Sequence, residues 1–193
     1  VSGGSDGTVQ RWDAGTGAPL GEPLKGHKAG SSFSGGSTKL NAGVNSVTYD
    51  PQGTKILSGG GDGMARLWNA KTGAPIGKPF TGHKPDTGNG VTSVAFNHEG
   101  TLVVTGGGDG TIQLWDATTG EPFRTPLMGH QTLSYGNVAV VFSPDGRRLL
   151  SGGSDGMLRL WDVQRGAPIG KPFLGDERGV KSVAFSPDGT LLV

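Results

Sequence analysis

The sequence has no cysteine, few charged residues and no long apolar run. Without cysteine it can form neither a disulfide framework nor a zinc–thiolate site, and it has no cysteine nucleophile. Charged residues make up only 17% of the 193 residues, and the net charge is +1, so we expect no electrostatic attraction to nucleic acid. The longest apolar stretches, such as residues 138–142, are far shorter than the roughly 20 residues of a membrane helix. We therefore expect neither a nucleic-acid nor a membrane partner.

Glycine and proline are abundant instead, with 38 and 12 residues, and they recur in a fixed pattern. Four similar segments each run from Gly-Gly-x-Asp-Gly to a tryptophan, and stretches rich in Val, Leu and Phe separate them. The four tryptophans lie 56, 47 and 46 residues apart, at Trp12, Trp68, Trp115 and Trp161. A repeat of this length with turn residues at fixed offsets is typical of a four-stranded propeller blade, not of a disordered chain.

The last complete unit predicts four short strands separated by turns, without helical periodicity. The strands are expected at residues 137–143, 148–152, 157–163 and 169–174. Pro144-Asp145-Gly146 and Asp155-Gly156 have the residues of tight turns. Pro172 is tolerated in the last strand because an edge strand need not donate every ladder hydrogen bond. The predicted fold class is all-β, with four-stranded antiparallel sheets repeated radially.

Gly-His, Ser-Pro-Asp-Gly, Ser-Gly-Gly-x-Asp-Gly and Leu-Trp-Asp recur over essentially the whole chain. With these motifs the sequence resembles the WD-repeat family. The resemblance implies that residues 1–193 are a single WD-repeat β-propeller domain or a segment of one. It implies about four blades, three of them complete and one split between the N- and C-termini. The Thr-Gly-x-Pro connections resemble bacterial arrays that form the sensor or scaffold part of larger signalling chains.

In the WD-repeat family a buried network of His, Asp, Ser or Thr, and Trp holds each blade together. The resemblance implies three such sets in this chain: His27, Ser58, Asp62 and Trp68; His83, Thr105, Asp109 and Trp115; and His130, Ser151, Asp155 and Trp161. An imidazole, a carboxylate, a hydroxyl and an indole N–H offer matching donors and acceptors. Each set can therefore be buried with its polar groups satisfied.

A fourth set departs from this pattern. Ser2, Asp6 and Trp12 are present, but the segment that would supply their histidine reads Gly175-Asp176, with a carboxylate in place of the imidazole. Arg11 stands where the other units have leucine, which suggests a weaker core. We predict that the unit from residue 2 to residue 27 is the least stable of the four.

The two ends of the sequence resemble the two parts of one divided blade, and two interpretations stay open. In the first, the ends of one chain, or of two chains in a symmetric homodimer, meet and close a ring of four or eight blades. In the second, the boundaries are cuts in a longer array, and the parent chain has additional blades. The absence of an initiator Met and a boundary inside a strand favour the second interpretation.

Some motifs resemble catalytic ones without fitting the chemistry. Residues 3–7 and 152–156 match Gly-x-Ser-x-Gly, but a nucleophile elbow needs a strand-to-helix turn, whereas these segments open a hairpin. The recurring Ser, His and Asp are paired with a Trp in every full unit, which is typical of a structural network. The histidines of these sets lie one per unit, so we do not expect them to converge on a metal. The sequence predicts no enzyme activity, no cofactor and no metal site.

The connections that follow each unit are irregular, at residues 28–43, 84–90, 131–136 and 176–179. In a propeller of this topology these loops share one face with the Asp-Gly turns, and variable loops on a rigid scaffold often carry binding. We predict a non-catalytic scaffold that binds a protein or peptide there, through Phe33, Lys39, Leu40, Lys84, Tyr135 and Arg178. Two alternatives stay open: the loops are tolerated surface insertions, or the protein is a small-molecule or glycan sensor that uses the central channel. We expect it in the cytoplasm.

Overall fold

The computed structural model describes residues 1–28, 43–85, 89–131 and 136–193, and these ranges form four antiparallel sheets. We number them sheets 1 to 4 in chain order. Within each sheet, strands that are consecutive in the chain pair with each other. The architecture is therefore all-β. Three of the sheets have four strands, as the repeats predict, and the described part of sheet 1 has three. Among the described residues, no helix is long and apolar enough to cross a membrane.

The described part of sheet 1 has three strands, β1 (Ser2–Gly3), β2 (Thr8–Gln10) and β3 (Leu24–Lys25). Sheet 2 has β4 (Val44–Tyr49), β5 (Lys55–Gly60), β6 (Met64–Asn69) and β7 (Pro75–Thr81). Sheet 3 has β8 (Val91–Phe96), β9 (Leu102–Gly107), β10 (Thr111–Asp116) and β11 (Leu127–Met128). Sheet 4 has β12 (Val138–Phe142), β13 (Arg148–Gly153), β14 (Met157–Asp162) and β15 (Ala167–Leu174).

The strands of sheet 4 lie within a residue or two of their predicted positions. The outer strand β15 begins two residues earlier than expected, at Ala167, and it lies at the edge of its sheet, where Pro168 and Pro172 are accommodated. The Asp155-Gly156 hairpin joins β13 to β14, and Gly156 has a φ of +78°, a backbone conformation that favours glycine.

Apolar clusters lie between consecutive sheets, so each sheet stabilises the next one. The cluster between sheets 2 and 3 includes Leu57, Phe80, Val91 and Trp115. The sheets approach closely at Gly59, where an added Cβ would lie only 2.5 Å from Val91 Cγ1. Glycine on the second strand therefore permits the packing of one sheet's inner strand on the next.

Residues 180–193 begin a further sheet on the far side of sheet 4. Val180 and Val183 pack on Gly152, whose added Cβ would lie 2.4 Å from Val180 Cγ1 and 2.8 Å from Val183 Cγ1. Phe185 and Leu192 form an antiparallel bridge, as between the first and second strands of the other sheets. The C-terminal residues thus supply the first strand and the beginning of the second strand of a blade.

Arg11, which is expected to weaken the core of sheet 1, makes hydrogen bonds to the neighbouring sheet. The side chain is buried, and its Nη1 donates to the carbonyl oxygens of Ala70 at 3.1 Å and Lys71 at 2.7 Å. These carbonyls belong to the turn after β6 in the neighbouring sheet. Arg124 of sheet 3 makes the same kind of contact with sheet 4, since its Nη2 donates to the carbonyl oxygen of Gln164 at 2.8 Å. Arginine thus links sheet 1 to sheet 2 and sheet 3 to sheet 4.

Candidate functional site

Sheet 2 holds a four-residue buried network that begins with His27, just after β3. The Nδ1 atom of His27 lies 3.0 Å from Asp62 Oδ1, and its Nε2 atom lies 2.7 Å from Ser58 Oγ. The indole N–H of Trp68 donates to the same hydroxyl oxygen at 2.8 Å. Arg66 Nη1 also lies 2.7 Å from His27 Nδ1, so this ring nitrogen faces both the Asp62 carboxylate and the Arg66 guanidinium, while Nε2 faces the hydroxyl that accepts from Trp68.

The same arrangement is repeated in sheets 3 and 4. His83 lies 3.2 Å from Asp109 and 2.7 Å from Thr105, to which Trp115 donates at 3.1 Å. His130 lies 3.0 Å from Asp155 and 2.7 Å from Ser151, to which Trp161 donates at 2.8 Å. The structure therefore brings together all three sets of residues that the family resemblance implies.

Two arginines join these networks, and the sequence analysis missed them. Arg66 Nη1 donates to Asp62 Oδ2 at 3.0 Å, and Arg159 Nη1 donates to Asp155 Oδ2 at 2.9 Å. The sequence could have indicated Arg66, because side chains alternate along a strand and residue 66 therefore lies on the same side as the network residue Trp68. In sheet 3 the corresponding residue is Gln113, and Thr111 Oγ1 instead donates to Asp109 Oδ1 at 2.7 Å.

The networks hold their aspartates ionised. Burial alone would raise the pKa of Asp62, but the hydrogen bond from His27 and the charges of His27 and Arg66 outweigh it and lower the pKa to about 2. The pKa values of Asp109 and Asp155 are lowered by the same balance, with the histidine hydrogen bond as the largest lowering cause. Burial lowers the pKa of His130 despite its contact with Asp155, so the neutral imidazole is favoured.

These networks do not have the geometry of a catalytic triad. The hydroxyls of Ser58, Thr105 and Ser151 belong to fully buried residues, so a substrate has no access to them. Each hydroxyl is also engaged by an indole N–H, which a nucleophile would have to lose. No cluster of three or more His, Asp or Glu side chains suitable for a metal occurs among the described residues.

Each of these networks also fixes the start of a loop between two sheets. The backbone N–H of Lys28 donates to Asp62 Oδ2 at 3.3 Å, and that of Lys84 donates to Asp109 Oδ2 at 3.0 Å. Gln131 makes the corresponding bond to Asp155 Oδ2 at 3.1 Å. We call the surface formed by Lys28, Lys84, Gln131 and residues 176–179 the loop face. Hydrogen bonds to the network aspartates thus anchor three of its loops.

The structure describes two of the six residues predicted to bind a partner. Lys84 and Arg178 are exposed on the loop face, and the Arg178 backbone N–H donates to Asp176 Oδ1 at 2.7 Å. The other four lie outside the described residues: Phe33, Lys39, Leu40 and Tyr135.

The fourth set of motif residues is incomplete in the structure. Trp12 still donates to Ser2 Oγ at 2.8 Å, and Asp6 Oδ1 accepts from the backbone N–H and the hydroxyl of Thr8. However, Trp12 is 44% exposed, whereas Trp68, Trp115 and Trp161 are each 3% exposed. Asp176, which stands where the other units have histidine, is exposed as well.

Two cavities of similar size lie between blades, at different faces. One of about 510 Å³ is lined by His98, Phe123, Arg147 and neighbouring residues of the turns opposite the loop face. The other, of about 500 Å³, is lined by Asp176, Arg178, Val180 and Val193 and reaches the loop face. The alternative function, a small molecule or glycan bound in the central channel, stays a prediction.

The repeats also match a known family. The family model described as "WD domain, G-beta repeat" matches residues 23–69, 73–116, 120–162 and 168–193, which together make up most of the chain. The chain therefore belongs to the WD-repeat family, whose domains generally mediate protein–protein interactions and are typically non-catalytic scaffolds. No curated protein matches the chain.

Proposed function

We propose that this protein is a non-catalytic scaffold that binds a protein or peptide through its loop face. The observation that carries the proposal is the anchoring of the loops. Three of them begin at a backbone N–H bonded to a network aspartate, at Lys28, Lys84 and Gln131. A surface whose loops start from fixed points loses less conformational freedom when a partner binds.

The contrast between the two ends of the blades supports the choice of this face. At the opposite end, four turns repeat the same backbone hydrogen bond, from Gly53 to Asp50, Gly100 to Asn97, Gly146 to Ser143 and Gly189 to Ser186. The connections on the loop face instead differ from one another in length and residues. Loops that vary on a rigid scaffold are where binding specificity is usually found, and here the variable loops lie on the loop face.

The proposal is tested with a binding peptide selected from a display library against the purified chain. Lys84→Glu and Arg178→Glu reverse charges on the loop face. For a peptide with a net negative charge, we expect each variant to lower the affinity at least about tenfold. The matched control is Lys78→Glu on the exposed edge strand β7, which should leave the affinity unchanged. If Lys78→Glu lowers the affinity and the loop-face variants do not, the proposed surface is wrong.

A further inference from the structure

Two kinds of blade alternate along the chain. Sheets 1 and 3 have Thr-x-Gln after the Asp-Gly turn, whereas sheets 2 and 4 have Met-x-Arg. The outer strands alternate in the same way, since β3 and β11 have two residues each, but β7 has seven and β15 has eight. Each kind of blade therefore offers its neighbour a different surface.

The packing of sheet 3 on sheet 2 shows how the second kind of blade receives the first. Phe80 of β7 packs on Trp115 of β10 with ring centroids 5.3 Å apart, and each of these side chains is only 3% exposed. Below them, Val91 and Val94 of the inner strand fill the space beside Gly59. An aromatic pair and an inner strand thus close this interface.

Sheet 4 presents the same surface with only half of it covered. Phe173 pairs with Leu158 in the register in which Phe80 pairs with Ala65, yet Phe173 is 39% exposed. Val180 and Val183 already lie beside Gly152, as Val91 and Val94 lie beside Gly59. The inner strand of the next blade is therefore in place, while the tryptophan is missing among the described residues.

Sheet 1 has the missing tryptophan. It is a blade of the first kind, like sheet 3, and its Trp12 occupies the motif position of Trp115. Trp12 is 44% exposed, and the described part of the sheet consists of β1, β2 and β3 without an inner strand. The exposed faces of sheets 1 and 4 thus have the counterparts of the residues that meet between sheets 3 and 2.

We propose that sheet 1 of a second copy of this chain docks on the Phe173 face of sheet 4. Trp12 of the second copy then packs on Phe173 as Trp115 packs on Phe80, and residues 180–193 supply its inner strand. Burying two exposed aromatic side chains against each other favours association. The contact joins sheet 1 of one copy to sheet 4 of the other. Two copies can make this contact twice, which gives a closed dimer with two identical interfaces.

The proposal is tested by light scattering on the eluting 193-residue chain. We expect the mass of two chains of 19.6 kDa each. Phe173→Asp and Trp12→Asp should each give a monomer with a cooperative thermal transition. Phe123→Asp is the matched control, because Phe123 is 38% exposed on another face, and this variant should remain a dimer. A monomeric wild-type chain, or association unchanged in both interface variants, would overturn the proposal.

Mixing the two variants shows whether the two faces bind each other. The Phe173→Asp chain keeps an intact Trp12 face, and the Trp12→Asp chain keeps an intact Phe173 face. We expect an equimolar mixture to form a heterodimer with a single interface, although each variant alone is monomeric. Homodimers of the Trp12→Asp chain would instead show that Phe173 faces bind each other, which contradicts the proposed contact.

Asp176→His tests the register of the docked blade by a gain in affinity. In the proposed contact, residue 176 stands near Asp6 and Ser2 of the second copy, as His130 stands beside Asp155 and Ser151. A histidine there completes the fourth network, and we expect the dimer dissociation constant to fall at least about tenfold. An unchanged or higher dissociation constant would contradict this register. The proposal does not rest on the proposed function, because association is measured without a peptide. Lys84 lies outside this contact, whereas residues 176–179 of the loop face border it.

Discussion

Ser58 and Ser2 occupy the same position in their repeats, but different surroundings give them different roles. Ser58 is fully buried and joins His27 to Trp68, whereas Ser2 is exposed and bonds only to Trp12 among its motif partners. Removal of a hydroxyl is costly when it leaves buried groups without a partner and cheap when water can replace it.

We therefore expect Ser58→Ala to lower the free energy of unfolding by about 2 to 4 kcal/mol, because it leaves an indole N–H and an imidazole nitrogen unsatisfied. Ser2→Ala is the matched control, and we expect it to cost less than about 1 kcal/mol. Urea unfolding of both variants checks the difference. Equal effects would show that the buried network does not stabilise the blade.

Single titrating residues also give the protein a defined acid sensitivity. The pKa of His130 is lowered from 6.5 in the folded chain, so the unfolded chain binds the proton more readily as the pH falls below about 6.5. The pKa of Asp62 is lowered from 3.8 to about 2, so its contribution is present above pH 3.8 and is lost between that pH and 2. Stability should therefore fall in two steps on acidification.

The measurement is the free energy of unfolding between pH 7 and pH 3. We expect Asp62→Asn to remove part of the loss below pH 4, since its amide does not titrate. A wild-type curve that is flat from pH 7 to pH 3 would contradict the assignment of these groups.

At the scale of the element, sheet 1 differs from the other three. Its strands are short, its tryptophan is exposed, and it lacks the histidine that the other sheets use. In the monomeric Phe173→Asp chain, we expect backbone amides of β2 to exchange with solvent faster than the corresponding amides of β6, β10 and β14, because local opening of sheet 1 requires fewer buried contacts to break. Hydrogen exchange with mass spectrometry checks this, and equal protection in all four strands would contradict it.

The elements also show how far the sequence alone reaches. Strands and turns could be predicted from turn residues at fixed spacing within one repeat. The three histidine networks could be predicted only from the resemblance to the WD-repeat family, because the histidine lies 31, 22 or 21 residues before its hydroxyl partner. The contact of Arg11 with the carbonyl oxygens of Ala70 and Lys71 could not, because it joins two sheets whose relative position the repeat does not specify. The exposure of Trp12 and Phe173 could not be predicted from the sequence either, because the residues at the same motif positions in other repeats are buried.

At the scale of the whole molecule, the repeated blades support the loop face, whose connections differ from one another in length and residues. The apolar clusters between sheets and the buried networks fix the blades, and the networks in turn hold the first residues of three loops. The central claim is that a protein or peptide partner binds to this loop face.

Hydrogen exchange of the chain with and without a saturating selected peptide tests that claim most directly. We predict added protection at Lys28, Lys84, Gln131 and residues 176–179, and no change in the turns at 97–100 and 143–146 on the opposite face. Added protection confined to those turns, with the loop face unaffected, would contradict the account.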